Sequence, residues 1–280
     1  MSKISLLMVT LTALLATACS KTALVAANFP AIFSGQKITR DIDFGSPHDQ
    51  KLDVYVPEGD VKNHPVIVFF YGGAWEYGSK NDYRFAAEAF TSRGYVVVIP
   101  DYVKYPKYKF PAWQTDAANA VTWTHNNITK FNGNPNQIFV MGHSAGAQIG
   151  ALLSTDKSYG VRSYIKAFAG LSGPYDFTPE EADYKDMFST SGENYKNIRV
   201  TNFVDGKQPP MLLLWGKDDK VVGEINITHL EAGLKARGGE YKVKFYDNVD
   251  HIDTVAALAI LARGRAPVVD DVDAWFKRER

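Results

Sequence analysis

Ser144 lies in the segment Gly142-His143-Ser144-Ala145-Gly146, which has the residue types and spacing of a catalytic nucleophile. Glycines two positions before and two after the serine suit a sharp turn from a strand into a helix, because larger side chains do not fit there. The apolar run 138–141 predicts the strand before this turn, and a helical pattern over 145–154 follows at once. The sequence therefore predicts that Ser144 is exposed on a strand–turn–helix elbow.

A serine hydroxyl is a weak nucleophile at neutral pH and needs a histidine base that a carboxylate orients. At such an elbow the acid and the base follow the serine in the chain, each on a loop after a later strand. Of the six histidines, only His229 and His251 follow Ser144. His229 falls within the helical pattern 224–236, which favours a surface or packing role. His251 follows a strand-like segment and a polar turn, so we predict that His251 is the base.

The carboxylate is expected after the apolar run 211–215, where Asp218 and Asp219 stand side by side. The Gly-x-x-Asp-x-x-Val spacing that begins at Gly216 favours Asp219. Asp218 is the alternative, although a role as a turn cap or a solvated residue suits it better. We predict that Asp219 orients His251.

The tetrahedral intermediate of acyl transfer needs backbone N–H donors for its oxyanion. The apolar run 66–70 ends in Tyr71-Gly72-Gly73-Ala74-Trp75, where two glycines allow the main chain to turn its N–H groups towards the serine. A glycine pair alone is typical of an ordinary turn, but this pair follows a central strand and precedes an elbow. We therefore predict that Gly73, Ala74 and Ala145 form the oxyanion hole.

The elements that must position these residues alternate along the chain. Short apolar runs typical of strands covered on both faces lie at 66–70, 95–99, 138–141, 165–169 and 211–215. Helical patterns lie at 81–93, 111–130 and 145–154, and residues 36–44 and 50–56 alternate as half-exposed antiparallel strands do. This order predicts the α/β class, with one mostly parallel sheet and helices on both faces. Ligands of such sheets bind beyond the carboxyl ends of the strands.

Together these segments resemble the α/β-hydrolase superfamily, specifically carboxylesterases similar to hormone-sensitive lipase and kynurenine formamidase. The likeness covers residues 50 to 276 and includes Asp101-Tyr102 and the segment 171–176 beside the motifs above. It implies an α/β-hydrolase fold with a central sheet of about eight strands.

In relatives a histidine stands at the place of Tyr71 and braces the oxyanion loop, so a phenol must brace it here or the loop is set differently. Val103 stands where relatives often have an arginine, which leaves a structural ion pair in doubt.

The resemblance implies a serine esterase that cleaves small-molecule carboxylic esters through an acyl-enzyme. Aromatic residues near the site favour a short or aromatic acyl group, and Trp75, Tyr77 and His143 are the candidates for substrate binding. An amide or N-formyl hydrolase, or a peptidase, with the same triad is an alternative, and a non-catalytic binding lipoprotein on the same fold is another. No His, Cys or Asp cluster has metal-ligand spacing, so we expect no metal and no other cofactor.

Composition fits a globular protein. The 280 residues include 31 Lys and Arg against 31 Asp and Glu, and 45% of them are hydrophobic. Such a balance argues against a disordered chain, and a neutral chain lacks the positive charge that phosphate backbones attract, so we expect no nucleic-acid partner. The sequence makes no prediction of oligomeric state.

The N-terminal region predicts export. Residues 1–18 have the character of a signal peptide, with an uncharged run of fifteen residues over 4–18, and 19–35 is expected to be a tether to a catalytic domain over 36–280. Ala16-Thr17-Ala18-Cys19 resembles a lipobox, although Ala16 replaces the usual leucine. We predict lipidation of Cys19, which would make the chain a membrane-anchored periplasmic or outer-membrane protein. The alternative is ordinary secretion. We expect the chain to contact the membrane only through that lipid anchor.

Overall fold

The computed structural model describes residues 22–279, which form one eight-stranded sheet with helices on both faces. The strands are β1 Lys37–Asp43, β2 Lys51–Val56, β3 His64–Phe70, β4 Val96–Pro100, β5 Gly133–His143, β6 Ile165–Leu171, β7 Met211–Gly216 and β8 Tyr241–Tyr246. Their spatial order is β1-β2-β4-β3-β5-β6-β7-β8. The β1–β2 and β2–β4 pairs are antiparallel and the five other pairs are parallel, which confirms the predicted fold class.

The central strands are buried along their whole length because helices cover both of their faces. Every residue of β3 and β4 is buried, and these strands consist mainly of Val, Ile and Phe. Such residues fit a pleated surface that is packed on both sides. β1 lies at one edge, where most of its residues are exposed. The predicted runs therefore mark the centre of the sheet, which carries the site.

In residues 22–279, eight α-helices surround the sheet. They are α1 22–28, α2 Arg84–Thr91, α3 Ala112–Asn127, α4 Ala145–Thr155, α5 Ala182–Met187, α6 Ile225–Arg237, α7 His251–Ala256 and α8 Val268–Arg278. The predicted helical patterns correspond to α2, α3, α4 and α6, whereas α1, α5, α7 and α8 were not predicted. α8 packs on the sheet, where the Phe276 ring stacks on Phe139 of β5 with centroids 4.5 Å apart.

The expected tether is in part folded structure. Residues 22–28 are helical and a 3₁₀ helix follows at Pro30–Phe33. Asn28 fixes this segment to the domain, because its side-chain amide donates to the Asp82 carbonyl at 2.8 Å and accepts from the Phe85 amide at 3.0 Å. The ordered domain thus extends back from residue 36 to residue 22.

The remaining N-terminal predictions fall outside the described residues. They are the signal peptide over 1–18 and lipidation of Cys19. Within 22–279, no helix combines the length and the apolar character needed to cross a membrane.

Candidate active site

Ser144 occupies the turn between β5 and α4, at the carboxyl edge of the sheet. Its backbone has φ 53° and ψ −124°, a conformation that side chains other than glycine seldom adopt. The Ser144 amide donates to the Leu171 carbonyl of β6 at 2.9 Å, and the following helix begins at Ala145. The strand–turn–helix elbow expected from the sequence is therefore present, and Ser144 lines an open cavity at its tip.

The two glycines of the elbow are required by close backbone approaches. A Cβ atom at Gly146 would lie 2.1 Å from the Phe70 carbonyl oxygen and 2.4 Å from that of Tyr71. A Cβ atom at Gly142 would lie 2.3 Å from the Gly146 carbonyl oxygen. Backbone atoms cannot move aside as side-chain ends can, so these positions tolerate no side chain without a shift of the sheet or of α4.

Asp219 and His251 form a buried pair at the same edge of the sheet. The distance from His251 Nδ1 to Asp219 Oδ2 is 2.8 Å, and the side chain of Asp219 is fully buried. The second carboxylate oxygen accepts from the amides of Val221 and Val222 at 2.9 and 3.0 Å. Asp218, the alternative, is exposed. The structure thus brings Asp219 and not Asp218 to His251.

The environment of Asp219 keeps it ionised. Burial raises its pKa, but the hydrogen bonds from His251 and from the Val222 and Val221 amides outweigh burial, so the pKa lies below the ordinary value of 3.8. A carboxylate in this state accepts the Nδ1 proton of His251 and leaves Nε2 unprotonated.

His251 is placed by a helix and not by the expected loop. It is the first residue of α7, and the Asp250 side chain caps that helix by accepting from the Ile252 and Asp253 amides, each at 2.8 Å. Thr254 Oγ1 donates to the His251 carbonyl at 2.8 Å. His229 lies elsewhere, half-exposed on α6 and paired with Asp176 at 2.7 Å, as expected for a surface role.

The loop after β3 turns sharply beside Ser144. Gly73 has φ 126°, and a Cβ atom there would lie 2.3 Å from the Tyr77 carbonyl oxygen. Ala74 and Trp75 also have positive φ, at 52° and 59°. Ala74 lines the same cavity as Ser144. The predicted donors at Gly73, Ala74 and Ala145 thus belong to two segments that meet at the cavity.

Tyr71 braces this loop with its phenol. Its hydroxyl donates to Asp101 Oδ1 at 2.5 Å, and the Lys80 amide donates to the same oxygen at 2.8 Å. The Tyr71 ring stacks between Tyr83 and Tyr102, with centroids 5.3 and 4.7 Å away. Burial and the neighbouring groups raise the pKa of Tyr71, so it remains a neutral donor. A phenol therefore does the bracing that the resemblance assigns to histidine.

The structural role expected near Val103 is filled by Asp116. This fully buried carboxylate accepts from the Val103 amide at 3.0 Å and from the Ser46 hydroxyl at 2.6 Å. The same oxygen that binds Ser46 lies 2.9 Å from His48 Nδ1. Asp116 therefore ties the segment after β4 to the turn before β2 without an arginine at position 103.

The cavity has a volume of about 620 Å³ and an aromatic outer wall. Trp75 packs on Phe177 with ring centroids 5.8 Å apart, and Tyr184 meets Trp75 edge-on at 6.4 Å. Glu180 and Glu181 also line the cavity, whose described lining holds no Lys or Arg. Sequence analysis missed Phe177, Tyr184 and both glutamates, because no spacing marks a wall that forms only when the segment 174–188 folds against Trp75.

Two predicted substrate-binding residues are placed elsewhere. Tyr77 is 68% exposed and does not line the cavity, since the chain turns away after Trp75. His143 is buried behind the elbow, where its Nε2 lies 3.0 Å from the His251 carbonyl oxygen and its ring lies 4.8 Å from the His251 ring. Burial, followed by the nearby His251, lowers the pKa of His143 to about 3, so it is neutral and donates to that carbonyl. Only Trp75 of the three lines the cavity.

Among residues 22–279, no three His, Cys, Asp or Glu side chains are grouped so that they could hold a metal ion.

The sequence matches known esterases. The sequence profile of the BD-FAE family matches residues 52–234. The probable isoprenylcysteine alpha-carbonyl methylesterase ICME of Oryza sativa subsp. japonica is 28% identical over 267 residues, which cover 86% of this chain and 64% of that protein. Kynurenine formamidase of Danio rerio is 32% identical over 146 residues, which cover 51% of this chain and 48% of that protein. The chain thus spans less than two thirds of the length of these relatives.

Solved structures share the fold. A truncated carbohydrate esterase from gut microbiota superposes with a TM-score of 0.77 at 17% identity, covering 88% of this chain and 97% of the other. Esterase B from Lactobacillus rhamnosis, inhibited by a tributyrin phosphonate, superposes with a TM-score of 0.79 at 16% identity, covering 99% of this chain and 97% of the other. These likenesses identify the α/β-hydrolase fold.

Proposed function

The chain belongs to the BD-FAE family, and on that premise we propose that it is a serine hydrolase that cleaves carboxylic esters. One observation carries the proposal above all. The buried Asp219–His251 pair, at 2.8 Å, lies at the same edge of the sheet as the strained elbow that presents Ser144. A serine, an ionised carboxylate and a histidine in this chain order are what acyl transfer at such an elbow needs.

In the proposed reaction Ser144 Oγ attacks the ester carbonyl carbon while His251 Nε2 takes the hydroxyl proton. Asp219 holds Nδ1–H and stabilises the imidazolium that forms. Among the described residues the Ser144 hydroxyl has no hydrogen bond to His251, a contact that often tightens only when substrate is bound. The N–H groups of Ala145 and of the Gly73–Ala74 turn receive the oxyanion. The imidazolium then protonates the leaving alcohol, and a water molecule activated by His251 releases the acid.

The cavity favours uncharged esters with a short or aromatic acyl group. Trp75, Phe177 and Tyr184 offer flat apolar surfaces, and a volume of about 620 Å³ suits a small ligand. Glu180 and Glu181, without a basic partner in the described lining, disfavour an anionic substrate. Several sequence relatives are named as esterases or methylesterases, which agrees with this class.

The test is hydrolysis of nitrophenyl esters from acetate to decanoate by the whole chain and its Ser144→Ala variant. We expect turnover to fall by about 10⁴–10⁶-fold in the variant, with the wild type most active on the shortest esters. Ser158→Ala, which changes an exposed serine beyond the opposite end of α4 from the elbow, is the matched control and should retain full activity.

Two outcomes would contradict the proposal. Equal activity of the Ser144→Ala variant would remove Ser144 from the reaction. A wild-type protein that is inert on every ester but hydrolyses N-formyl anilides would make it an amidase, a class to which the kynurenine formamidase relative belongs.

We also propose export and lipid attachment at Cys19, on the sequence resemblance alone. Metabolic labelling with a radioactive fatty acid should mark the wild-type chain and not the Cys19→Ser variant. Equal labelling of both chains would contradict it.

A further inference from the structure

The N-terminal segment carries large apolar side chains on its outer face. Val25, Phe29, Ile32 and Phe33 are each more than half exposed, and Phe33 is 74% exposed. The spacing of four and then three residues from Val25 to Ile32 places three of them on one side of a helical segment. Asn28 and Ala31, which lie between them, face the domain instead.

A second segment extends this surface. The 3₁₀ helix Ile260–Ala262 contacts the 3₁₀ helix Pro30–Phe33, and it exposes Ile260 and Leu261. We call these six residues the apolar patch, namely Val25, Phe29, Ile32, Phe33, Ile260 and Leu261. They account for half of the twelve large apolar side chains exposed in the described chain. A contiguous apolar patch of this kind marks a contact surface.

The domain holds the patch in a fixed orientation. Besides the two hydrogen bonds of Asn28, Arg84 donates to the Ile32 carbonyl at 3.2 Å. Near Leu261, the Arg263 guanidinium is paired with Glu88 on α2. Arg84 and Arg263 thus tie the two segments of the patch to the rest of the domain.

The preceding sequence identifies the occupant. Residues 4–18 are an uncharged, mainly apolar run, and only residues 19–21 separate it from helix α1. Three residues span at most about 10 Å when fully extended. A lipid on Cys19, or the apolar run itself, therefore reaches the bilayer within about 10 Å of the start of α1.

We propose that the apolar patch lies against the lipid bilayer, so that the domain rests on the membrane in one orientation and does not hang freely from its anchor. Apolar side chains buried in the bilayer would add a second membrane contact to that anchor. No patch residue lines the cavity, so the patch and the site are separate surfaces. This revises the expectation that the chain meets the membrane only through its anchor, and it does not depend on the proposed ester hydrolysis.

Site-specific photocrosslinking tests the docking. The photoreactive residue p-benzoylphenylalanine replaces Phe33 in the whole chain, which is reconstituted in phosphatidylcholine vesicles and illuminated. The matched control places the same residue at Phe245, an exposed phenylalanine on β8 at the far edge of the sheet. We expect at least a tenfold larger yield of lipid adducts at position 33 than at position 245, by mass spectrometry. The same probe at Leu261 should also give lipid adducts.

Every other outcome overturns the proposal. Equal lipid yields at positions 33 and 245 in vesicle-bound protein would mean a freely moving domain. Crosslinked dimers at position 33 would assign the patch to a second copy of this chain. An adduct with residues 1–21 of the same chain would assign it to that segment. Nitrophenyl ester hydrolysis by the same samples is a separate readout, so a failure here leaves the proposed function untouched.

Discussion

The inner end of the cavity and its outer wall are built in different ways. At the inner end, the Ser144 turn and the Asp219–His251 pair are fixed by strand ends, by glycines that admit no Cβ atom and by buried hydrogen bonds. The outer wall consists of aromatic rings and exposed carboxylates from the segment 174–188, together with Val221, Val222, Gly223 and Asn226. The inner end can therefore hold atoms in place for chemistry, whereas the wall can vary and so select the substrate.

The largest expected effect separates two adjacent carboxylates at the inner end. Asp219→Asn should lower kcat by about 10⁴-fold, because an amide no longer holds the His251 tautomer that leaves Nε2 unprotonated. Asp218→Asn is the matched control, since Asp218 is exposed, and it should leave kcat within about twofold. Nitrophenyl acetate turnover measures both. Equal losses in the two variants would contradict the assignment.

A backbone comparison tests how tightly the elbow is packed. Gly146→Ala places a Cβ atom 2.1 Å from a main-chain oxygen and should lower the free energy of unfolding by about 3 kcal/mol or more. Gly233→Ala is the control on α6, where nothing lies within 4 Å of the new atom, and it should raise that free energy by about 1 kcal/mol. Urea unfolding midpoints measure both. Similar shifts in the same direction would show that the elbow is not constrained in this way.

The outer wall should control specificity more than rate. Phe177→Ala removes a ring that stacks on Trp75 and should change the ratio of kcat/KM for butyrate over acetate by about 10-fold or more. The rate on acetate should change far less, because the triad is untouched. Phe245→Ala, on β8 and away from the cavity, is the control. An unchanged ratio would mean that Phe177 does not contact the acyl group.

His143 at the inner end should make stability depend on pH. Its pKa of about 3 in the folded protein lies below the ordinary value of 6.5. Between these two pH values the unfolded chain therefore binds a proton at this histidine, whereas the folded chain does not. The contribution of neutral His143 to the free energy of unfolding is therefore complete above about pH 6.5. It is lost as the pH falls towards 3, with a slope of up to about 1.4 kcal/mol per pH unit. His143→Phe keeps a buried ring without a titrating group and should reduce that slope. Urea unfolding between pH 7 and pH 4 measures it, and an identical slope in both proteins would contradict the prediction.

The predictions for the inner end rest on local sequence signals. The glycines around Ser144, the apolar runs that become β3, β5 and β7, and the Asp219 and His251 positions after strands all depend on a few neighbouring residues. His251 was expected on a loop, yet it begins α7. The Asp250 and Asp253 pair forms a reciprocal capping box, and this spacing is a sequence signal for a helix that begins at His251.

Other features were not predicted. The outer wall, the first of them, depends on contacts between residues far apart in the chain. Phe177 and Tyr184 form the outer wall only by packing their rings on Trp75, which lies about one hundred residues earlier in the chain. His143 looked like a pocket residue because it adjoins Ser144, but it is the last residue of β5 and its ring is buried behind the elbow, against the His251 carbonyl. α8 was missed although Val268, Val272, Trp275 and Phe276 have helical spacing.

Covalent trapping tests the central claim that Ser144 is the nucleophile. The whole chain would be treated with diethyl p-nitrophenyl phosphate, which transfers its diethylphosphoryl group to an activated serine and releases nitrophenol. Peptide mass spectrometry would then locate the group. We expect one diethylphosphoryl group per chain, on the peptide that contains Ser144, together with loss of esterase activity. An unmodified Ser144 in a protein that the reagent has inactivated, or modification of a different serine, would contradict the account.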